Sequence, residues 1–325
     1  MAQVASGFES LITIDNTKVD ATLTNYPIMV KLTSGNFDFS TVRTDGFDIA
    51  FYDNSDTLLA FETEYFDKPT SSGVFHVKIP SISSTVDTTF KMKYGDNNAV
   101  DLSNKAGVWD SNFVMVQHMG TSLLDSTANG NDGTNYGSTV VDGLNGKGRV
   151  FDGTNDYIEV PNSSSIDLTK NLTITILQKI DDNTPSINNS LISKLTDGSN
   201  KQFSLDALTT NTMSMEYERS ANNFSVSSSL ALDVSYNLVT LSIDNLLDFR
   251  VYKNADKITT DTSASSETLQ SVEPISIGRW GGTYNTRYYS GEMDEVRMSN
   301  VVRSDAWIKA DDYNLRLNSL LTIGA

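Results

Sequence analysis

Apolar and polar residues alternate with a period of two along most of the chain. Ile28, Val30 and Leu32 alternate with Met29 and Lys31, Phe75, Val77 and Ile79 with His76 and Lys78, and Phe90, Met92 and Tyr94 with Lys91 and Lys93. The same rule sets Leu172, Ile174 and Ile176 against Thr173 and Thr175, and Met213, Met215 and Tyr217 against Ser214 and Glu216; Val239, Leu241 and Ile243 follow it too. Successive side chains of a strand point to opposite faces, so each segment predicts a strand with one buried and one wet face, as in an antiparallel sandwich. Asp45-Gly46, Asn129-Gly130, Asp142-Gly143, Asp152-Gly153 and Asp197-Gly198 supply turns suited to positive φ. Helical signal is confined to Ser304-Asp-Ala-Trp-Ile-Lys-Ala-Asp-Asp-Tyr313. Ser304 is the expected N-cap, Asp305 sits in the first turn, and Trp307 and Ile308 are expected to pack onto a sandwich.

The pattern breaks at residues 104–110, before Phe113-Val-Met-Val. The chain therefore reads as all-β, two tandem antiparallel β-sandwiches over 1–108 and 109–325, with the short helix and tail in the second. Residues from about 8 to 105 carry Leu11-Ile-Thr-Ile-Asp-Asn, Tyr26-Pro-Ile-Met-Val, Asp45-Gly-Phe-Asp-Ile-Ala-Phe-Tyr-Asp, Val74-Phe-His-Val-Lys-Ile-Pro and Lys93-Tyr-Gly-Asp. These resemble a family of unknown function that directly precedes laminin-G-like domains in bacterial, archaeal and phage surface proteins. Residues from about 111 to 312 carry Val116-Gln-His-Met-Gly, Asp125-Ser-Thr-Ala-Asn-Gly-Asn-Asp-Gly133, Phe151-Asp-Gly-Thr-Asn-Asp-Tyr-Ile, Ile275-Ser-Ile-Gly-Arg and Gly291-Glu-Met-Asp-Glu-Val-Arg-Met. These resemble the laminin-G-like, concanavalin-A-like jelly roll. Between about 178 and 235 the chain departs from that family: Gln178-Lys179 stands where a Trp is common, and Tyr236-Asn-Leu where a Trp-His-like pair is common.

Charge and composition narrow the function classes. Lys+Arg total 24 against 41 Asp+Glu, a formal charge of −17, which repels nucleic-acid phosphates and anionic membranes. Without cysteine, disulfides, thiolate zinc sites and cysteine nucleophiles are excluded. The first residues lack the basic and apolar regions of a signal peptide, and no run reaches the roughly 18 apolar residues of a membrane span. Neither membrane insertion nor nucleic acid is expected.

Two groups of residues carry candidate chemistry. Asp125, Asn129, Asn131 and Asp132 lie in one loop, and Asp152, Asp156 and Asp294 at the landmark strands. Ca²⁺ takes six to eight oxygen ligands of these kinds, and the resemblance implies it, because some laminin-G-like domains bind Ca²⁺. Turn chemistry alone also calls for Asp and Asn there, so both readings stand. Asp294-Glu295, between Met293 and Val296, predicts a β-bulge. The second group is the aromatic, Gly-rich loop with Arg279, Trp280, Tyr284, Asn285, Arg287, Tyr288 and Tyr289. Flat rings stack on sugars while Arg and Asn bond hydroxyls, making this the candidate carbohydrate contact; packing of the same rings in the core is the alternative.

Catalytic signatures are absent. His76, on the polar side of its strand, and His118 read as surface or packing residues, and neither has a Ser/His/Asp context. Residues 143–148 lack the ending of a phosphate-binding loop and precede a strand. Pairs such as Glu62/Glu64 and Asp311/Asp312 have no fixed separation to suit glycoside hydrolysis. The expectation is a non-enzymatic phage virion surface protein adhering to host or environmental glycans, with other virion proteins and copies of itself as further partners. The alternatives are a secreted, cell-surface or extracellular bacterial Ca²⁺-dependent lectin, and a structural virion protein without ligand.

Overall fold

A computed structural model describes residues 7–168, 171–182, 189–195, 201–207, 213–219, 222–228, 234–244, 248–261, 272–281 and 287–324. The Asp197-Gly198 turn lies outside them. The chain divides into two compact units, Met1–Asp110 with Ser304–Ala325, and Ser111–Arg303.

The first unit opens with strands β1 (Phe8–Ile14), β2 (Leu23–Thr33), β3 (Ala50–Tyr52), β4 (Phe61–Asp67), β5 (Ser72–Ile82) and β6 (Thr88–Tyr94), then a short helix α1 (Lys105–Val108). One three-stranded sheet runs β2-β5-β4. Its register sets Ile28 opposite Val77 and Val30 opposite Phe75, and all four are fully buried. The predicted alternation places these side chains on the core face. The polar face is not uniformly wet, however. His76 is also fully buried, because Trp109, just beyond α1, packs its ring 5.3 Å from the imidazole and donates from Nε1 to Glu62.

The second unit contains β7 (Phe113–Gln117), β8 (Thr134–Tyr136), β9 (Thr139–Asp142), β10 (Lys147–Asp152), β11 (Tyr157–Val160), β12 (Leu172–Ile180), β13 (Asn189–Leu195), β14 (Lys201–Ala207), β15 (Met213–Arg219), β16 (Asn222–Ser228), β17 (Asn237–Ile243), β18 (Phe249–Lys253), β19 (Asp256–Asp261), β20 (Ile275–Ile277) and β21 (Ser290–Ser299). One sheet runs β19-β18-β17-β12-β21-β10-β9, with β7 also on β21; the other runs β16-β15-β14-β13-β20-β11-β8. Their inner faces share one core, in which Ile174, Val239, Val296 and Phe151 meet Ile158, Leu191, Phe203 and Ile277. The unit's first and last strands are neighbours, Met298 opposite Met115. The two landmark segments also pair directly, Phe151 opposite Gly291. The expected bulge occurs where Leu177 faces Glu295 but Gln178 faces Met293, leaving Asp294 as the extra residue.

After β21 the chain returns to the first unit through α2 (Asp305–Asp311), a wider π turn over Asp312–Arg316, and β22 (Leu321–Ile323). Ser304 caps α2, accepting from Trp307 N. β22 completes a sheet ordered β22-β1-β6-β3. This corrects the expected assignment of helix and tail to the second sandwich. The physical reason is a set of first-unit contacts. Trp307 sets its ring edge-on to Tyr26 at 4.8 Å, and Tyr26 Oη donates to Asp311 at 2.7 Å. Asn314 acts as a substitute strand partner for edge strand β2, accepting from Met29 N and donating to Met29 O.

Candidate functional site

The acidic loop after β7 is organised by Asp125, 3% exposed. One carboxylate oxygen accepts from Val116 N and Thr127 N, the other from Thr127 Oγ1 and Asn131 N, all within 2.7–2.9 Å. Asn129 Nδ2 donates to Phe113 O and Val114 O. Asn131 gives its amide to Val114 O and takes Ser163 Oγ on its Oδ1. Asp132, exposed, accepts from Asp125 N. Asp152 holds its own turn through Thr154 N and Asn155 N, and Asp156 accepts from Asp152 N. The bulged Asp294 reaches a different turn, accepting from Asn145 N, beside the Gly143 N to Gly146 O turn bond.

Among the described residues no three of these carboxylates converge. A calcium shell needs six or more oxygens around one point. Here the buried Asp125 carboxylate already accepts four protein donors. The seven residues therefore do not fit one shared calcium shell, and their contacts are those of turn and bulge organisers.

Asp156 is 8% exposed. Burial pushes its carboxyl above the usual aspartate range, and the Asp152 charge adds to this, against the lowering effect of the Asp152 N–H. A carboxyl raised in the folded state makes folding less favourable as pH climbs from about 3.9, the ordinary aspartate value, through the raised one. Asp156→Asn is accordingly expected to melt higher than the parent at pH 7. The difference should vanish below pH 4, as read by thermal melts of both proteins across that range.

The aromatic loop divides into residues of different character. Arg279 pairs with Tyr288 in an isolated antiparallel bridge, and Trp280 N donates to Arg287 O at 3.0 Å, so the two described ends of the segment pair with each other. The Arg287 guanidinium lies 3.6 Å from the centre of the Trp280 ring. It also donates to Asp206 at 3.1 Å. Asp206, in β14, is fully buried and accepts from Ser204 Oγ as well. Trp280, Arg287 and Tyr288 are half-buried, with the Trp280 Nε1 edge turned inward, so what these residues leave exposed is ring surface and the ends of the Arg287 and Tyr288 side chains. Tyr284 and Asn285 lie outside the described residues.

Tyr289 is a correction to the expected carbohydrate contact. It is fully buried, edge-on to Phe151 in the core, and donates from Oη to Gln178 at 2.6 Å. Burial pushes its phenol well above the ordinary value. Gln178, where the family commonly has Trp, is thus the polar partner this buried tyrosine needs. The second departure is also answered: Tyr236 Oη and Lys179 Nζ both donate to Glu292. Burial works to raise that carboxyl, yet the two donors hold it below the usual range.

Arg279 is likewise enclosed, 9% exposed. It lies on the Tyr157 ring at 3.5 Å, away from the Trp280 stack. Sequence reasoning missed Asp206, Tyr157 and Tyr136, which come from strands far from the loop. The period-two pattern already put Asp206 on the face opposite Leu205, and Tyr157 opposite Ile158.

The histidines and carboxylate pairs have structural partners. His76 Nε2 lies 2.7 Å from Glu64, and His118 Nδ1 lies 2.8 Å from Glu295, which also accepts from Arg297 Nε at 2.6 Å. Asp311 accepts from Tyr26, and Asp312 from Arg316.

Residues 152–309 match the concanavalin A-like lectin/glucanases superfamily, and residues 45–131 match a domain of unknown function, DUF2341. No curated protein matches the chain in sequence. Among solved structures, the binding domain of Paraclostridial Mosquitocidal Protein 1 is 16% identical at a TM-score of 0.53, over 63% of this chain and 52% of that one. Domain 4 of AbnA, an extracellular arabinanase from Geobacillus stearothermophilus solved with arabinotriose, is 15% identical at 0.50, over 61% and 96%. A structure of botulinum neurotoxin type C, whose cell entry is dependent upon interaction with two ganglioside molecules, is 11% identical at 0.51, over 64% and 51%. The chain thus spans about half the length of the two toxin structures and nearly all of the arabinanase domain; these likenesses show a shared fold.

Proposed function

Because the chain joins a domain of the unknown-function family to a laminin-G-like, concanavalin A-like domain, we propose that it is a non-catalytic glycan-binding protein. The contact lies at Trp280, Arg287 and Tyr288 of its second unit. The carrying observation is the stack of Arg287 on Trp280, anchored by buried Asp206. A guanidinium fixed at both its face and its edge loses little freedom when it donates to sugar hydroxyls. The neighbouring aromatic surface offers a pyranose the flat contact that sugars favour. The arabinanase domain solved with arabinotriose and the toxin whose cell entry depends on gangliosides support the substrate class.

A glycan array with the intact protein and Trp280→Ala, each with Ca²⁺ and with chelator, tests this. The expected result is binding by the parent that falls at least tenfold in the variant, with melting controls showing both folded. No binding by the intact protein in either buffer would sink the reading. Equal binding in both buffers would remove calcium from it. The finer reading, adhesion from a phage virion surface, is supported by the tandem order alone. It is tested by searching purified particles for the protein.

A further inference from the structure

A second aromatic surface lies on the same unit, at the edge of the sheet ending in β8. Tyr136 in β8 and Tyr157 in β11 are register partners. Their rings stack with centroids 4.4 Å apart and 8° between planes. Arg279 lies 3.5 Å from the Tyr157 centroid. With Tyr136 covering one face of Tyr157, the guanidinium has only the other, so the order is Arg279, Tyr157, Tyr136.

The inner end of this pile is fixed. Arg279 donates to Ser276 Oγ at 3.1 Å and to Glu159 at 3.4 Å, and its Nε is enclosed without an acceptor among the described residues. The outer end is open: Tyr136 is 42% exposed on an edge strand whose three residues are all exposed. The rings turn away from the core, to which β11 contributes Ile158 and Val160. Among the described residues neither phenol makes an internal hydrogen bond. The next pair on that face, Thr134 opposite Glu159, supplies a hydroxyl and a carboxylate beside the rings. A cross-strand ring pair alone would strengthen the edge. It would not require a backing guanidinium or two phenols turned outward.

From this geometry we infer that Tyr136 is the outer wall of a saccharide subsite. One hexopyranose ring lies on it, and its hydroxyls are met by the two phenols, Thr134 and Glu159. The inference rests on the glycan-binding reading but adds a subsite distinct from the Trp280–Arg287 stack. Charge selects the sugar. Glu159 pairs with Arg279, and the chain carries −17 overall, so a sialylated or sulfated ring meets a repulsive field. The ligand class is a neutral hexopyranose.

Saturation-transfer NMR and calorimetry with cellotriose, galactotriose, mannotriose and 3′-sialyllactose test it on the full chain, with Tyr136→Ala, Tyr136→Phe and Trp280→Ala. At least one neutral trisaccharide should bind, with ring C–H protons saturated. Tyr136→Ala should weaken it about tenfold while Tyr136→Phe retains most binding, and sialyllactose should bind more weakly than the neutral sugar. Binding untouched in Tyr136→Ala but lost in Trp280→Ala overturns the subsite and leaves the proposed function standing. Failure of all four sugars overturns the subsite; only a silent glycan array overturns the function as well.

Discussion

A chain ending at Arg303 is expected to lose the folding transition of its first unit while keeping that of residues 111–303. The missing segment contributes Trp307, Ile308, Leu315 and Leu320, all nearly or fully buried. It also contributes β22, which pairs Ile323 with Ile12 and Leu321 with Ile14. Truncating a buried tryptophan alone costs about 3–5 kcal/mol, and a buried leucine or isoleucine about 2–5. Set against a typical net stability of about 5–15 kcal/mol, losing all four exceeds what a sandwich of this size holds in reserve. Edge strand β2 would also lose the Asn314 amide that serves Met29 N and O. Calorimetry should show one transition where the full chain shows two. Limited proteolysis should leave a core from within 111–303. Survival of the first unit's transition in the shortened chain would refute the two-unit division.

Gly291→Ala is expected to destabilise the second unit strongly, although it adds only one methyl group. Gly291 adopts φ +146°, a region that residues with a Cβ rarely occupy. An added Cβ would stand 2.3 Å from Lys179 O and 3.0 Å from Ile180 Cα. Both are backbone atoms of the central neighbour β12 and cannot swing aside. Strain of this kind costs about 3 kcal/mol or more, which lowers the melting point of a domain this size by roughly 6–12 °C. Gly130 separates conformation from contact: it has φ +69° but nothing within 4 Å of an added Cβ. Gly130→Ala should therefore cost only about 1–2 kcal/mol. Equal melting points for the two variants would show that the close approach at Gly291 is not what that position protects.

Part of the candidate site is legible in the sequence. Asp125, Asn131 and Asp294 stand out as turn and bulge residues with oxygen-bearing side chains. What they bond could not be read, because an acid that caps a turn and one that binds a metal look alike in a one-dimensional pattern. Trp280 and Arg287 were named together, yet the Asp206 that fixes them lies some eighty residues earlier. Tyr289 was misplaced because an aromatic next to a polar loop gives no sign that the following strand draws it into the core.

Local sequence pattern was enough for the alternating strands, the Ser304 cap, the bulge at Asp294 and the all-β class. Each depends on residues within a few positions of one another, where alternation, capping and turn preference act directly. It takes the folded chain to show that Ser304–Ala325 belongs to the first unit, that His76 is enclosed on a face patterned as polar, and that Arg279 backs Tyr157 and Tyr136. Those outcomes depend on which distant surfaces meet. Alternation states which side of a strand is apolar, but not which tryptophan, amide or guanidinium arrives to cover the other side.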